Sequence, residues 1–360
     1  MSAFDLIAVQ EVNENMTDFQ TVIRLLGPHW NYLVTDQSGN MERLAFVYDT
    51  RKILFRHVAG EVVLPAKKGK PPLQFNRTPY LVAFQSGWFK FNICTVHIYY
   101  GDAKDTAQRK REIADVANFF SERQKKDGET YILLGDFNIL NPEDATMKAL
   151  LGGAFEVRPE LRKPTALASA NFYDQIALRT EDKQFELRGS GCFHWQDYVY
   201  RDADYLAYKP QMPTKTAAKK PEKTDLAAHK KWRTWQMSDH LPLWAEIKID
   251  FTEAYLQSLK AGEKPLAEFH PSSGVRPEAT ADAAWQTRRY PQKRPVPPIT
   301  TTIRPSGRFT MMIWRMSSIC SPATGQSCAS TARLNLSHGP WNIQTNSATI
   351  SQPIPCIRWM

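Results

Sequence analysis

The chain has 360 residues, of which 42% are hydrophobic and 23% are charged. This composition supports a sizeable core and excludes a wholly disordered chain. No apolar run approaches the ~20 residues that a membrane-spanning helix needs, so such a helix is excluded. The five cysteines include no Cys-x-x-Cys pair, which argues against a disulfide framework or a structural zinc site.

The net charge of +9 belongs to the C-terminal part of the chain. Residues 283–360 contain nine basic residues and no acidic residue. Removing those nine from the 46 basic residues of the chain leaves 37, which equals the 37 acidic residues of the preceding part. The charge balance is therefore no evidence that the folded body binds nucleic acid.

The first 250 residues contain most of the regular patterning. Apolar runs predict strands at residues 4–11, 43–48, 53–55, 80–84, 89–97, 131–134, 173–178 and 241–249. Two helices are predicted, one from Thr17 to Gly27 and one over residues 105–126 that Asp105 or Thr106 caps. Strands outnumber helices and alternate with them only in part, which favours an α/β architecture of stacked sheets over a doubly wound parallel sheet.

The pattern divides the chain into three parts. We expect one domain over residues 1–250 with a basic insert at about 190–236, then a helix and a Pro-rich linker over 251–300, and an irregular acid-free tail over 301–360.

The second half of the insert, residues 209–233, has eight basic and two acidic residues, and Trp232 and Trp235 lie at its end. Basic and aromatic residues together suit phosphate tracking and base stacking, but a solvated loop has the same composition.

The tail follows no strand or helix period, and three of the five cysteines lie in it. We interpret it as an extension read in a non-native frame, with a genuine basic tail as the alternative, and we expect its deletion to leave the thermal stability nearly unchanged.

Polar side chains lie at the ends of several predicted strands. The segments are Gln10-Glu11, Thr95-Val96-His97, Gly135-Asp136-Phe137-Asn138, Tyr173-Asp174-Gln175-Ile176 and Ser238-Asp239-His240-Leu241-Pro242. A buried Asp174 is costly without a cation, a metal or a histidine as partner. Five such segments can converge on one cleft and supply a metal ligand, a base and an acid.

As a set and in this order, these motifs resemble the endonuclease/exonuclease/phosphatase superfamily, whose fold is that of pancreatic-type deoxyribonuclease. The resemblance covers residues 4–250. Two further segments fit it, Met41-Glu42-Arg43-Leu44-Ala45-Phe46 and Asn76-Arg77-Thr78-Pro79-Tyr80. It implies two packed mixed β-sheets flanked by helices, in a deoxyribonuclease-like four-layer sandwich.

The resemblance also implies metal-assisted hydrolysis of a phosphoester, with Mg²⁺ or Mn²⁺ as the cofactor. Glu11 would ligate the metal, and Asp239 would lie near it. His240 would activate the attacking water, and Asp174 would fix the tautomer of its ring.

The remaining residues act around the phosphate in this scheme. His97, oriented by Glu42, would protonate or stabilise the leaving oxygen. Asp136 would position the water, and Asn138 and Arg77 would bind the phosphoryl group.

The substrate class is less sharply defined. Abasic-site endonucleases of the superfamily have Tyr at the position of His97, and Thr-Val-His is closer to deoxyribonucleases, sphingomyelinases and inositol-phosphate phosphatases. We expect a phosphodiesterase, with nucleic acid as a plausible substrate. The alternatives are a phosphatase or phospholipid phosphodiesterase of the same fold, or an inactive remnant that binds phosphate without turnover.

One departure from the family pattern concerns the start of the chain. The family has a central strand that precedes the Gln-Glu strand and ends in an Asn, and this chain starts too late to contain it. We therefore expect a truncated fold that lacks its first strand. No signal peptide is visible, and we expect a cytoplasmic monomer.

Several other features have ordinary explanations. Ser238 is expected to be a turn hydroxyl rather than a nucleophile, Gly69-Lys70 a basic loop, and Cys94 and Cys192 core or loop thiols.

Overall fold

The computed structural model describes residues 1–66, 71–102, 106–213, 224–261 and 307–315. The strands are β1 (Leu6–Val12), β2 (Trp30–Val34), β3 (Arg43–Asp49), β4 (Leu54–Glu61), β5 (Tyr80–Ser86), β6 (Phe89–His97), β7 (Tyr131–Asp136), β8 (Asp174–Arg179), β9 (Leu187–Cys192), β10 (Leu243–Lys248) and β11 (Arg308–Arg315). The helices are α1 (Thr17–Leu26), α2 (Ala107–Asp127), α3 (Ala145–Gly152), α4 (Tyr205–Tyr208), α5 (Asp225–Gln236) and α6 (Thr252–Lys260). Within these ranges, none of the helices has the length and apolar character that crossing a bilayer requires.

The strands form two mixed sheets. One sheet has six strands in the order β2-β3-β1-β11-β10-β9, and the other has five in the order β4-β5-β6-β7-β8. Each sheet contains one parallel pair, β1 with β11 and β6 with β7, and its other neighbours are antiparallel.

Apolar side chains from both sheets meet in one core. Leu6 and Phe46 from the six-stranded sheet share it with Phe84 and Phe91 from the five-stranded sheet. Helix α2 adds the buried stripe that its spacing predicts, with Ile113, Val116, Ala117 and Phe120 fully buried. The expected architecture of two packed mixed sheets flanked by helices is confirmed.

Helix α1 covers the opposite face of the six-stranded sheet. Its residues Phe19 and Ile23 pack in a second cluster with Ile7 and Val9 of β1. Strand β1 is therefore buried on both faces, which explains why its residues 6–9 read as an unbroken apolar run.

The tail contributes a central strand, so the expectation of an irregular tail over 301–360 is wrong for residues 308–315. Strand β11 pairs in parallel with β1 and antiparallel with β10. Phe309, Met311 and Ile313 enter the core between the sheets, while Met312 and Trp314 enter the second cluster. Because both faces of β11 are buried, its sequence shows no alternation of apolar and polar residues. The rest of the tail lies outside the described residues.

The position of β11 also bears on the strand that was expected to be missing. The resemblance implies a central strand that precedes the Gln-Glu strand in the chain. In this fold β11 is a central strand, between β1 and β10. It comes from the other end of the chain and ends in Arg315 rather than in Asn. The sheet thus has no gap at this position.

The sequence pattern also gives no sign of β2, β9 and α3. Strand β9 reads Leu-Arg-Gly-Ser-Gly-Cys and β2 is only partly buried, so neither has a clear apolar period. Helix α3 has an N-cap, since the Asp144 carboxylate accepts hydrogen bonds from the backbone N–H groups of Thr146 and Met147. Cys94 is buried in the core and Cys192 is partly buried, and both thiols are free.

Several sequence expectations fall partly outside the described residues. They are Asp105 as a helix cap, the basic loop at Gly69-Lys70, residues 214–223 of the insert and the Pro-rich linker that follows α6. The described part of the insert contains α4 and α5 and an aromatic cluster in which the His229 ring stacks with those of Tyr208 and Trp232.

Candidate active site

A bulge in β1 directs Glu11 away from the regular pleat. Val9 pairs with Ala45 and Val12 with Arg43 of β3, so β1 contains one extra residue at this point. Glu11 lies in the left-handed region with φ of 59° and is 3% exposed. A non-glycine residue in this conformation costs of the order of 1–3 kcal/mol, and such strain clusters at functional sites.

A glycine brings β6 and β7 unusually close together. Gly135 has φ of 129°, and a Cβ atom there would lie 2.2 Å from the carbonyl oxygen of Val96. Only glycine permits this approach, which pairs Asp136 of β7 with His97 of β6. The Asp136 Oδ2 atom lies 3.6 Å from His97 Nε2.

His240 and Asp174 form a buried pair. The Asp174 Oδ2 atom lies 2.7 Å from His240 Nδ1, and both residues are about 2% exposed. The pair meets the requirement that a buried Asp174 has a partner. The Tyr173 ring stacks on the His240 ring with centroids 5.0 Å apart, and Ser238 Oγ accepts a hydrogen bond from the His240 backbone N–H, as a turn hydroxyl does.

His97 has a similar arrangement with other partners. Its Nδ1 atom lies 3.2 Å from Glu42 Oε2, and its Nε2 atom lies 3.8 Å from Glu11 Oε1. Arg77 Nε donates to the same Glu42 oxygen at 3.0 Å, and Arg77 is 8% exposed. Arg77 therefore has a partner in Glu42, whereas sequence reasoning placed it on a phosphate.

Asn138 closes the loop that follows β7. Its backbone N–H donates to Asp136 Oδ1 at 2.8 Å, and its side-chain amide donates to the Ile98 carbonyl oxygen at 2.7 Å. The residue has φ of 55°, and Arg109 Nη1 donates to its carbonyl oxygen at 3.0 Å. These bonds fix the position of the amide, which has a second N–H group.

Sequence reasoning missed Arg315, the last residue of β11. Its Nη2 atom lies 2.7 Å from Glu11 Oε1, and its Nη1 atom lies 3.3 Å from Asp136 Oδ2 and 2.6 Å from His240 Nε2. Its Nε atom lies 3.9 Å from Asp239 Oδ1. The one available signal was a basic residue at the end of an apolar run, the same place that Gln10-Glu11 occupies in β1.

The carboxylates and cations of this cluster shift one another's ionisation. Burial raises the pKa of Glu11, and the charges of Arg315 and His97 oppose that rise. Burial would also raise the pKa of Glu42, but His97 and Arg77 outweigh it and lower that pKa. Burial would lower the pKa of His240, yet Asp174 raises it above the ordinary value.

The donor set fits a divalent cation. Ligand atoms of Glu11, Glu42 and His97 lie within 4.8 Å of one another. The carboxylates of Glu11 and Asp136 already share one cationic group, the Arg315 guanidinium. Carboxylate oxygens are the ligands that Mg²⁺ and Mn²⁺ prefer, so the cluster of carboxylates around Glu11 is chemically suited to either ion.

The described site, with Arg315, brings together residues from eight strands or their adjoining loops. The expected residues found in it are Glu11, Glu42, Arg77, His97, Asp136, Asn138, Asp174, Asp239 and His240. Asp239 is the most exposed of them, since its side chain is 52% accessible. Such an arrangement of two histidines among carboxylates can take up and return protons around a bound cation.

No family model matches the chain, and no curated protein matches it. Among solved structures it is similar to the human Nocturnin catalytic domain, with 14% identity over 52% of this chain and 72% of that one and a TM-score of 0.42. A mannosyl-6-phosphatase from Bacteroides thetaiotaomicron has 18% identity over 53% of this chain and 76% of that one, with a TM-score of 0.39. An endonuclease/exonuclease/phosphatase from Bacteroides vulgatus has 13% identity over 68% of this chain and 85% of that one, with a TM-score of 0.42. These similarities are of low identity and cover only part of the chain.

Proposed function

We propose that the chain is a Mg²⁺- or Mn²⁺-dependent phosphoester hydrolase that acts on phosphodiesters, with nucleic acid as a candidate substrate. The observation that supports this most directly is the buried pair of His240 and Asp174. His240 Nε2 contacts the Arg315 guanidinium, which also contacts the carboxylates of Glu11 and Asp136.

The two histidines suit opposite proton transfers. Each has Nδ1 near a carboxylate, Asp174 for His240 and Glu42 for His97, and this leaves Nε2 to exchange a proton. In the proposal, His240 Nε2 accepts a proton from the attacking water, and Asp174 stabilises the imidazolium that results. His97 Nε2 gives a proton to the departing oxygen.

The other residues hold the reactants in place. Glu11 and Asp239 would hold the metal, and Asp136 would accept a hydrogen bond from the attacking water. Asn138, whose amide is fixed on Ile98, would donate its second N–H to a phosphoryl oxygen. A bound divalent cation would supply charge stabilisation worth several kcal/mol.

The experiment is hydrolysis of a phosphodiester by the whole chain at saturating Mn²⁺. We expect His240→Ala to lower kcat/KM by at least ~10²-fold, because one acid–base group contributes about 10²–10⁴-fold. Asp174→Asn should produce a smaller loss, because the ring keeps its place but its charged form loses its carboxylate partner.

His29→Ala is the matched control, since His29 is an exposed histidine whose described contacts are made by its backbone oxygen. Circular dichroism establishes that each variant is folded. An unaffected His240→Ala variant would overturn the proposed mechanism. The proposed function would be refuted if neither the whole chain nor an Arg315→Gln variant, which lacks the guanidinium that contacts His240, hydrolysed any phosphodiester tested.

A further inference from the structure

Arg315 occupies the place where the negative charge of the site is concentrated. Its guanidinium contacts Glu11 Oε1 at 2.7 Å, Asp136 Oδ2 at 3.3 Å and His240 Nε2 at 2.6 Å. The side chain is only 20% exposed. A guanidinium stays protonated in proteins, so Arg315 brings a full positive charge to the carboxylates of Glu11 and Asp136.

The contact with His240 engages the atom that the proposed reaction needs. A guanidinium has only donors, so His240 Nε2 must accept and must carry no proton of its own. The ring proton then lies on Nδ1, where Asp174 Oδ2 accepts it at 2.7 Å. While Arg315 donates to Nε2, this nitrogen cannot take a proton from water.

The contact with Glu11 engages the proposed metal ligand in the same way. Two cations that share one carboxylate oxygen at close range repel each other strongly in a buried site. A divalent ion bound directly to Glu11 Oε1 would lie within a few ångströms of the guanidinium. Arg315 and the metal are therefore alternative occupants of this oxygen.

The position of Arg315 in the fold allows it to leave without unfolding the sheet. It is the last residue of β11 and pairs with Gln10, next to the bulge at Glu11. Its Nε atom makes no hydrogen bond to any described residue. The strand itself is held by the five preceding apolar residues, as the two core clusters include Phe309, Met311, Met312, Ile313 and Trp314.

We propose that Arg315 is an internal cation that competes with a divalent metal for Glu11 and caps the base nitrogen of His240. The arrangement described here is then a closed form of the site, and withdrawal of the Arg315 side chain opens it for the metal. The catalytic consequence rests on the proposed function, whereas the competition for Glu11 does not.

The test is the affinity for Mn²⁺ alone, measured by isothermal titration calorimetry and by electron paramagnetic resonance on the whole chain. We expect Arg315→Gln to lower the Mn²⁺ dissociation constant by about ten-fold or more, because in the parent chain only the minor open form can bind the metal. Arg315→Lys keeps the charge but has fewer donors, so its Mn²⁺ dissociation constant should lie between those of the parent chain and Arg315→Gln. Arg308→Gln is the matched control, since Arg308 lies at the other end of the same strand and pairs with Glu246 at 3.2 Å.

A second measurement uses the unaltered chain, so that it does not depend on the folding of a variant. The Nε–H signal of Arg315 in a nitrogen–proton spectrum, assigned by its loss in Arg315→Lys or by sequential assignment, should shift as diamagnetic Mg²⁺ is added. Metal saturation with that signal unmoved would overturn the proposal, as would equal or weaker Mn²⁺ binding by Arg315→Gln. Tighter metal binding without any hydrolysis would sustain the competition and reject the proposed function.

Discussion

The two histidines of the site differ in what surrounds their Nε2 atoms. His240 Nε2 meets the Arg315 guanidinium, whereas His97 Nε2 lies 3.6 Å from Asp136 and 3.8 Å from Glu11. A guanidinium can only donate, so His240 Nε2 accepts in its contact with Arg315, whereas His97 Nε2 faces two carboxylates. In the proposed function His240 is the base and His97 the acid, as the family resemblance implies.

The choice of leaving group distinguishes an acid role of His97 from a structural effect of its replacement. His97→Ala should reduce hydrolysis of a phosphodiester with an alkyl leaving group by about 10²–10⁴-fold. An activated aryl phosphodiester needs less protonation of its departing oxygen, so its rate should fall much less. The measurement is kcat for both substrates with the same two proteins, and equal losses would contradict the role of general acid.

At the scale of elements, β11 determines whether the six-stranded sheet is continuous. It hydrogen-bonds to β1 on one side and to β10 on the other. Its residue Phe309 is fully buried, and its ring stacks on Phe91 with centroids 5.2 Å apart and an interplanar angle of 17°. The strand is thus part of the core. This packing does not fit the expectation that deletion of the tail leaves the thermal stability nearly unchanged.

Phe309→Ala measures how much the strand contributes. Replacing a buried Phe by Ala costs about 3–5 kcal/mol in the free energy of unfolding, and urea titration followed by tryptophan fluorescence should detect it. Arg308→Ala, one residue earlier and with a side chain 61% exposed, should change the free energy by no more than ~0.5 kcal/mol. A Phe309→Ala variant as stable as the parent would mean that β11 does not occupy this place.

The turn between β3 and β4 depends on a buried carboxylate. The Asp49 side chain accepts hydrogen bonds from the Arg51 backbone N–H at 3.0 Å and from the Arg51 guanidinium at 2.6–3.2 Å. Burial alone would raise the pKa of Asp49, but these bonds outweigh it and lower that pKa. The ionised form is therefore favoured in the folded chain relative to the unfolded one.

This shift predicts a pH-dependent contribution to stability. Because the folded pKa of Asp49 is below the unfolded value, the stabilisation is present above the unfolded pKa and is lost as the pH falls through the folded one. Asp49→Asn should cost about 1 kcal/mol near neutral pH, since Arg51 is partly exposed and its contribution is screened. Urea titrations of both proteins should converge in strongly acidic buffer, and Glu14→Gln, an exposed acidic position, should change little at either pH.

For the whole molecule, the sequence predicted those features that leave a local pattern of apolar and polar residues. Glu11, Asp136, Asp174 and His240 could be found because each breaks an apolar run at a strand end. The order of the strands and the place of β11 could not be predicted from the sequence. A strand buried on both faces has no alternation of apolar and polar residues, and no local pattern indicates which strand it pairs with. Arg315 was missed for the same reason, since its meaning depends on a parallel pairing with residues about 300 positions earlier in the chain.

The long connection to β11 makes its contribution separable in an experiment. Residues 262–306 link the end of α6 to the strand, and a chain that ends at Ala261 would leave the facing edges of β1 and β10 unpaired. Exposed apolar strand edges of this kind lead to aggregation or to a loosely packed sheet. We expect such a chain to lose its cooperative thermal transition.

A synthetic peptide of residues 307–315 should restore that transition. The peptide would add a strand between β1 and β10, gaining backbone hydrogen bonds on both sides and burying Phe309, Met311 and Ile313. Calorimetry with increasing peptide should show a transition temperature that rises with peptide concentration, because a ligand that binds only the folded form stabilises it by mass action. A peptide with Phe309→Asp and Ile313→Asp is the control, since it keeps the backbone but cannot bury these side chains. A truncated chain that melts as cooperatively as the whole protein without any peptide would show that the sheet does not need β11.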